Sequence, residues 1–428
     1  MVVFLTGASG FIGRHLASAL AHAGHTLVLG LHDAATPVLH GRVIAIDYLR
    51  DVDASAWRPR LQGVDVVINA VGALRAKAGA GFDALHVDAP RALFEACAQV
   101  GVRRVIQISA LGADEHAQSA YHVSKRAADS YLASLPVASA IVQPSLVYGA
   151  GGTSARLFDT LASMPLIAVP GDGSQRVQPI HVDDLVEAIV ALVERNEQTS
   201  GERISLVGPA PLTLANFLER LRGALGFRDT YVLRVPMPIV RAAAAIGDLL
   251  PRALLDRETL AMLERGNVAS DAKTREMLGR APRPVEAFVS PETAAAASVS
   301  ATLAWMQPLL RVSIALVWIW TGIVSLGLYP PSESYALLAR LGATGTMATV
   351  MLYGAALLDI ALGVGVFVLR DRRWLWAAQI AVMLAYTVLI SIWLPEWWLH
   401  PYGPMIKNVP MLVATMLLAV LESRRWTT

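Results

Sequence analysis

Thr6-Gly7-Ala8-Ser9-Gly10-Phe11-Ile12-Gly13 follows a short apolar run, Met1 to Leu5, that reads as a strand, and it precedes an amphipathic stretch predicted to be helical over residues 11–23. Glycine at the first two spaced positions lets the backbone turn tightly and approach a pyrophosphate. The third lets the following helix pack close on the sheet, with its N-terminal amides facing the phosphates. A strand before such a loop and a helix after it give the pattern its meaning. The reading is a dinucleotide site built from Gly7, Ser9, Gly10, Phe11, Ile12 and Gly13.

The same rhythm continues outward. Strands are predicted at 2–6, 26–31, 43–46, 64–69, 104–109 and 140–143, with helical periodicity between them, as at 90–99 and 124–135. Strands alternating with helices imply a doubly wound parallel sheet of Rossmann type, covered on both faces. Beyond Val147-Tyr148-Gly149 the glycines and prolines at 151, 152, 165, 170, 171 and 173 suit a small substrate lobe. The apolar stretch 236–251 is too short to span a bilayer and reads as a core or surface-lying helix. Residues 290–302, rich in Ala and Ser, read as a linker. The expected domains are 1–290 for the α/β part, 291–305 for the linker and 306–428 for an all-α four-helix membrane bundle.

Composition supports that division. The chain has 428 residues, 54% hydrophobic and 16% charged, and a formal net charge of +2. A near-neutral balance without a basic stripe gives no footprint for nucleic acid. The single cysteine, Cys97, cannot form an internal disulfide and reads as a buried small hydrophobe. Four segments, 309–328, 347–369, 374–394 and 405–421, are long and apolar enough to span or nearly so; the last is short and contains Pro410. Arg370, Arg372 and Arg373 lie between the second and third segments, and Arg424 and Arg425 follow the fourth. The positive-inside rule then places both chain ends in the cytoplasm, as a multi-pass protein of the inner membrane. The N-terminus enters a strand at once, without the basic flank and cleavage site of a signal peptide, which agrees with a cytoplasmic nucleotide domain.

Ser109 closes the Val105-Ile106-Gln107-Ile108 strand, and Tyr121 and Lys125 follow one helical turn apart. At that spacing both side chains share a helix face. A lysine cation beside a tyrosine favours the phenolate and moves the hydroxyl toward proton transfer. A serine hydroxyl can orient the carbonyl or alcohol that gains or loses hydride.

With those motifs in place, residues 1 to about 290 resemble the extended or atypical branch of the short-chain dehydrogenase/reductase superfamily. The matching stretches are the Thr6–Gly13 loop, Asp47-Tyr48-Leu49, Asn69-Ala70-Val71-Gly72, Ser109, Tyr121 with Lys125, Pro144-Ser145-Leu146-Val147-Tyr148-Gly149 and Pro179-Ile180-His181-Val182-Asp183-Asp184-Leu185. The resemblance implies that Asp47, with Tyr48 beside it, approaches the adenine amine. It implies that Asn69, Ala70, Val71 and Gly72 line the cofactor cleft and that Pro144 and Val147 border the nicotinamide. Ser109, Tyr121 and Lys125 become the catalytic set, with Lys125 also holding the nicotinamide ribose. Asp183 and Asp184 read as a helix-start element. Leu31 stands where NAD-preferring relatives carry an acid, and His32 where NADP-preferring ones often carry Arg, which leans the expectation toward NADP(H) over NAD(H).

Residues from about 305 to 425 resemble the DoxX-like membrane family through Tyr386-Thr387, His400-Pro401-Tyr402-Gly403-Pro404 and Lys407-Asn408-Val409-Pro410. Asp359, midway along the second segment, is costly there unless paired, and Lys407, Tyr386 or Thr387 are the candidate partners. Lys407 can equally snorkel to the membrane edge. No His or Cys lies at ligand spacing, so no metal is expected. The combined expectation is a membrane-anchored NAD(P)(H)-dependent oxidoreductase acting on a carbonyl or alcohol of a lipophilic small molecule: an isoprenoid, a lipid or a quinone. Alternatives are a nucleotide-binding sensor or assembly module governing a membrane partner, and a tethered sugar-nucleotide epimerase or dehydratase. Oligomerisation through the bundle is a further expectation.

Overall fold

A computed structural model describes residues 1–33, 40–73, 82–195, 199–249 and 255–423. The chain divides into two compact units, Met1–Ala301 and Thr302–Thr428.

The first unit opens with β1 (Val2–Thr6), α1 (Phe11–His22), β2 (Thr26–Leu31), β3 (Arg42–Ala45), α2 (Ala54–Trp57), β4 (Val66–Asn69), α3 (Ala89–Val100), β5 (Arg104–Ile108), α4 (Ala120–Ser134) and β6 (Ser139–Pro144). Next come β7 (Val147–Tyr148), α5 (Thr153–Ser163), β8 (Leu166–Pro170), β9 (Arg176–Val177), β10 (Ile180–His181), α6 (Val182–Glu194) and β11 (Glu202–Leu206). It ends with β12 (Leu212–Thr213), α7 (Leu214–Ala224), β13 (Tyr231–Val235), α8 (Met237–Gly247), α9 (Arg257–Arg265) and α10 (Ala272–Leu278). The order β11-β6-β5-β4-β1-β2-β3 makes a seven-stranded sheet, and each of its pairings is parallel. The strand at one edge, β11, was not anticipated. Glu202, Arg203 and Ser205 interrupt its apolar pattern, and only its register beside β6 makes it a strand.

Both faces of the sheet are apolar because successive strand residues point to opposite sides. Val3 and Leu5 pack with Leu16 and Leu20 of α1 and Leu185 and Ile189 of α6. Phe4 between them packs on the other face with Leu93, Phe94 and Cys97 of α3 and Leu132 of α4. Cys97 is fully buried, and burial pushes its thiol well above the usual range, which matches a packing role. A third core gathers Ile167, Val169, Phe217, Leu218, Leu221 and Phe288 in the smaller lobe. His181 caps α6 by accepting from the Asp183 amide, while Asp183 and Asp184 pair with Arg283 and Arg280. These aspartates therefore fasten the helix start.

The second unit is helical: α11 (Pro291–Ile323), which begins in the first unit, α12 (Pro331–Arg340), α13 (Gly345–Val368), α14 (Arg373–Trp393) and α15 (Asn408–Ser423). Residues 291–305, read from composition as a linker, form the first part of α11. Three helical stretches are long and apolar enough to cross a membrane, Pro291–Leu328, Gly345–Val368 and Arg373–Trp393. The fourth, α15, has 16 residues and reaches only about 24 Å at 1.5 Å per residue, short of a bilayer core of about 30 Å. Pro410 and the turns before it shift its start three residues beyond the segment predicted from residue 405. Arg424 and Arg425, used for the orientation, lie outside the described residues.

This unit is built inside out. Trp320, Val350, Leu357, Val388 and Val413 are more than half exposed, while Asp359, Gln379 and Thr415 are buried. Apolar side chains outward and polar groups inward suit a hydrocarbon solvent. Helices approach closely at glycine: a Cβ on Gly363 of α13 would lie 2.8 Å from the Ala315 carbonyl oxygen of α11. Glu422 ties three segments, accepting from Arg311 Nε at 2.6 Å and from Trp376 Nε1 at 3.1 Å, with Arg372 at 3.8 Å.

Gly363→Val is expected to lower the stability of the helical unit by about 1–3 kcal/mol through overpacking. Thermal melts in detergent should show the loss, with nucleotide binding by the first unit unchanged.

Candidate active site

The site forms where the strands of the large sheet end. Gly7 adopts φ +72°, and a Cβ there would meet the Ala70 carbonyl oxygen at 2.7 Å. Glycine is needed because the turns after β1 and β4 touch. Gly13 is tighter still, since its Cβ would lie 2.0 Å from the Gly7 carbonyl oxygen. Gly10 caps α1, and its amide donates to Gly7 O at 2.9 Å. This bare cradle before a helix N-terminus has the shape and the free amides that a dinucleotide pyrophosphate requires. At the end of β2, Leu31 turns into the core and His32 is exposed.

A row of polar side chains crosses the sheet beneath that cradle. Thr6, Asn69 and Gln107 sit opposite one another on β1, β4 and β5. Thr6 Oγ1 donates to Asn69 Oδ1 at 2.8 Å, and Asn69 Nδ2 donates to Gln107 Oε1 at 2.7 Å. The Tyr48 hydroxyl joins at 2.8 Å from Asn69 Oδ1, and burial holds its pKa above the usual range. Tyr48 and Asn69 thus face inward and support the turn of Ala70, Val71 and Gly72. Asp47 sits one residue earlier with its carboxylate accepting from the Leu49 amide at 3.0 Å.

Helix α4 brings the remaining groups. Tyr121, Lys125 and Asp129 are spaced four residues apart and share one face. Lys125 is buried and donates to the carbonyl oxygens of Val71 at 3.1 Å and Ile108 at 3.0 Å. Those two bonds place its ammonium between the turn after β4 and the end of β5. A Cβ on Gly72 would lie 2.9 Å from Lys125 Nζ, so a side chain there would displace the ammonium. Ser109 donates to Asp129 Oδ2 at 2.5 Å. Lys125 therefore sits against Val71 and Gly72 and on the carbonyl of Ile108, the residue before Ser109, with Tyr121 one turn before it on the same helix. Pro144 and Val147 lie at and just beyond the end of β6, the strand beside β5.

Burial sets the electrostatics. Desolvation lowers Lys125 to about 8 against the pull of Asp129. It raises Asp129 to about 6, opposed by Ser109, Lys125, Arg203 and Gln107. Burial, then Asp129, pushes Tyr121 up to about 12. The direction is opposite to the one expected from a lysine one turn away, because burial and the Asp129 carboxylate disfavour the phenolate.

Sequence reasoning missed three contributors. Asp129 continues the four-residue spacing of Tyr121 and Lys125, and that spacing was its signal. His86 lies in a one-turn π-helix, with ring centroids 5.3 Å from Phe82 and 5.5 Å from Tyr121. It accepts from the Ala73 amide at 3.0 Å and bonds Ser124 Oγ at 2.9 Å through its other nitrogen. Burial and Lys125 lower it to about 3, so it stays neutral. Glu258 of α9 accepts from the Tyr121 amide at 3.0 Å, a contact with no local sequence signal. In the helical unit Asp359 is buried and accepts from the Tyr386 hydroxyl at 3.3 Å, Thr387 accepts from Asn408, and Lys407 is exposed.

With this geometry established, comparison with known proteins fixes the family. The NAD-dependent epimerase/dehydratase family model matches residues 3–208. Ceramide reductase of Caulobacter vibrioides is 31% identical over 250 residues, which cover 58% of this chain and 77% of that protein. The chain belongs to the NAD-dependent epimerase/dehydratase family. It carries in addition a DoxX-like domain at residues 315–416. Other relatives in the family include the NADH-ubiquinone oxidoreductase 40 kDa subunit of Neurospora crassa, 27% identical over 56% of this chain and 64% of that one. A further relative is the 4-hydroxy-2-methyl-3-oxo-4-farnesyl-3,4-dihydroquinoline-1-oxide ketoreductase of Stigmatella aurantiaca, 27% identical over 66% and 92% of the two chains. UDP-glucuronic acid 4-epimerase of Bacillus cereus with NAD shares the fold, at TM-score 0.51 and 20% identity over 72% of this chain and 98% of that one. The protein is an NAD-dependent oxidoreductase-type enzyme with a membrane domain.

Asp129 makes the stability pH-dependent in a defined direction. Its folded value, near 6, lies above the ordinary carboxylate value, so its favourable contribution is complete in acid and is lost as pH rises through 6. Wild-type melting temperature is expected to carry a falling component between the ordinary carboxylate value of 3.8 and about 6, and to level off above it. Asp129→Asn should remove this component.

Proposed function

We propose that this protein is a membrane-tethered NAD(P)H-dependent reductase of a ketone carried on a lipophilic molecule. The observation that carries the reading is the buried Lys125 ammonium, fixed by Val71 O and Ile108 O beside Ser109 and one turn from Tyr121. This charge lies at the mouth of a glycine cradle suited to a dinucleotide, in a chain that also has helices suited to a bilayer. The reductase names of the ceramide and farnesyl-quinoline relatives support a ketone on an apolar body. The same reading places the first unit in the cytoplasm at the inner membrane, with the bundle as the anchor.

A nicotinamide held by the Gly7–Gly13 loop would supply hydride to the carbonyl carbon. Tyr121 donates its phenolic proton to the carbonyl oxygen as the C=O π bond opens, leaving an alcohol. Lys125 would stabilise the phenolate that results and, from its position at Gly72, would hold the ribose. While Asp129 is ionised, the Ser109 hydrogen is committed to it and the Ser109 oxygen can only accept. Once Asp129 is protonated it becomes the donor, and the Ser109 hydroxyl is released toward the substrate carbonyl. His86 and Ser124 hold the Tyr121 end of α4 without taking part in proton transfer. His32, exposed at the end of β2 where Leu31 stands in place of an acid, supports a preference for NADP(H).

Tyr121→Phe is expected to lower turnover of a long-chain ketone by about 10²–10⁴-fold while leaving nucleotide affinity intact. Nucleotide titration and steady-state rates on detergent-solubilised protein check both. Wild-type reduction should slow as pH rises through about 8, where Lys125 loses its charge. His32→Asp should weaken NADPH binding and strengthen NADH binding; an unchanged ratio would remove His32 from cofactor choice.

A further inference from the structure

Helix α8 presents an apolar stripe to its surroundings. Ile239, Ile246 and Leu249 are 58%, 62% and 80% exposed, with exposed Ala242 and Ala243 between them. From Ile239 to Ile246 the spacing is that of one helical face, and Leu249 follows just past the helix end. The opposite stripe, Val240 and Ala244, is buried against Leu260 of α9, so the exposed side is not an unfinished core contact. Strand β13, which leads into α8, exposes Tyr231 at 84% and Leu233 at 51%. Leu166, opposite Tyr231 in the β8 register, is also exposed.

Arginines border the stripe, and Asp248, between Ile246 and Leu249, pairs with Arg257 at 3.4 Å. Arg234 and Arg241 are exposed. Arg241 also lines a cleft of about 400 Å³ with Ser174, Gln175, Arg176, Glu264 and Arg265. Glu264 pairs with Arg241 at 3.1 Å and Asp114 with Arg265 at 2.5 Å, so three guanidinium groups meet two carboxylates there.

We propose that α8 lies in the interface of an anionic bilayer, with Ile239, Ile246 and Leu249 among the upper acyl chains and Arg176 and Arg241 at the headgroups. A helix of 11 residues is about 16 Å long and cannot span. An apolar face rimmed by arginine matches the chemistry of that interface. The membrane-spanning helices of the same chain keep a bilayer at high effective concentration, so weak docking is enough. The consequence reaches the site, because α9 packs on α8 and its Glu258 holds the Tyr121 amide. Docking would therefore bring the bilayer surface within one helix of Tyr121. The inference does not depend on the reductase reading, since a chain that turned nothing over would dock equally.

The test uses the full chain in nanodiscs holding one copy each, with phosphatidylglycerol mixed into phosphatidylcholine. An environment-sensitive fluorophore is placed at Ile246→Cys or, as a control, at Glu219→Cys on the exposed side of α7. Cys97 is buried and does not label. Nitroxide lipids should quench the probe at 246 several-fold more than at 219. Arg241→Glu, or removal of phosphatidylglycerol, should reduce that difference, with nucleotide binding confirming that each variant is folded. Equal quenching at the two positions would overturn the proposal. So would protection at 246 that grows with protein concentration in detergent and is absent in single-copy discs, which would assign the face to a second copy of the chain.

Discussion

The hydrogen bond from Ser109 to the buried Asp129 carboxylate is the constraint on which the site depends. It joins the end of β5 to the middle of α4, and so sets the rotation of that helix. With Asp129 fixed, Lys125 falls one turn earlier against Val71 O and Ile108 O, and Tyr121 one turn earlier again. Beneath them, Thr6, Asn69 and Gln107 keep three adjacent strands in register through side-chain bonds. A buried polar row is favourable only when its members are satisfied, which specifies one alignment of the sheet over its one-residue slips. The cost is carried by Asp129, whose second oxygen has no partner among the described residues.

The two units answer to different solvents. In the first, apolar side chains are drawn inward by water on both faces of the sheet. In the second, Asp359, Gln379 and Thr415 turn inward while tryptophan, leucine and valine face out. Between helices in lipid the hydrophobic effect offers little, so close approach at Gly322 and Gly363 and the charged knot at Glu422 supply the specificity. Tyr386 answers the cost of Asp359 locally.

Much of the fold was legible in the sequence because strong periodicity and glycine spacing are local signals. Strands β1 and β2 have the predicted bounds, β3 to β6 differ by one or two residues at their ends, and β7 to β13 were not predicted. What escaped depends on distant partners. Strand β11 is polar in alternation and is a strand only beside β6. His86 and Glu258 reach Tyr121 from elements far along the chain. The Ala- and Ser-rich stretch after residue 290 looked like a linker because small residues are common in loops, yet Ala is also the best helix former. Among the site residues, the Gly7 loop and the Tyr121–Lys125 pair were readable from spacing. The inward direction of Asn69 and Tyr48 was not, since only the sheet register shows it.

Deuteride transfer tests the central claim most directly. The full chain in nanodiscs is supplied with nicotinamide cofactor deuterated at the transferring position and with a long-chain lipid ketone, and the product is examined by mass spectrometry. One deuterium is expected on the carbinol carbon, with an equivalent of oxidised cofactor released for each alcohol formed. Deuterium that never leaves the cofactor, or a cofactor that is oxidised and reduced in place while a soluble sugar nucleotide is interconverted, would contradict it.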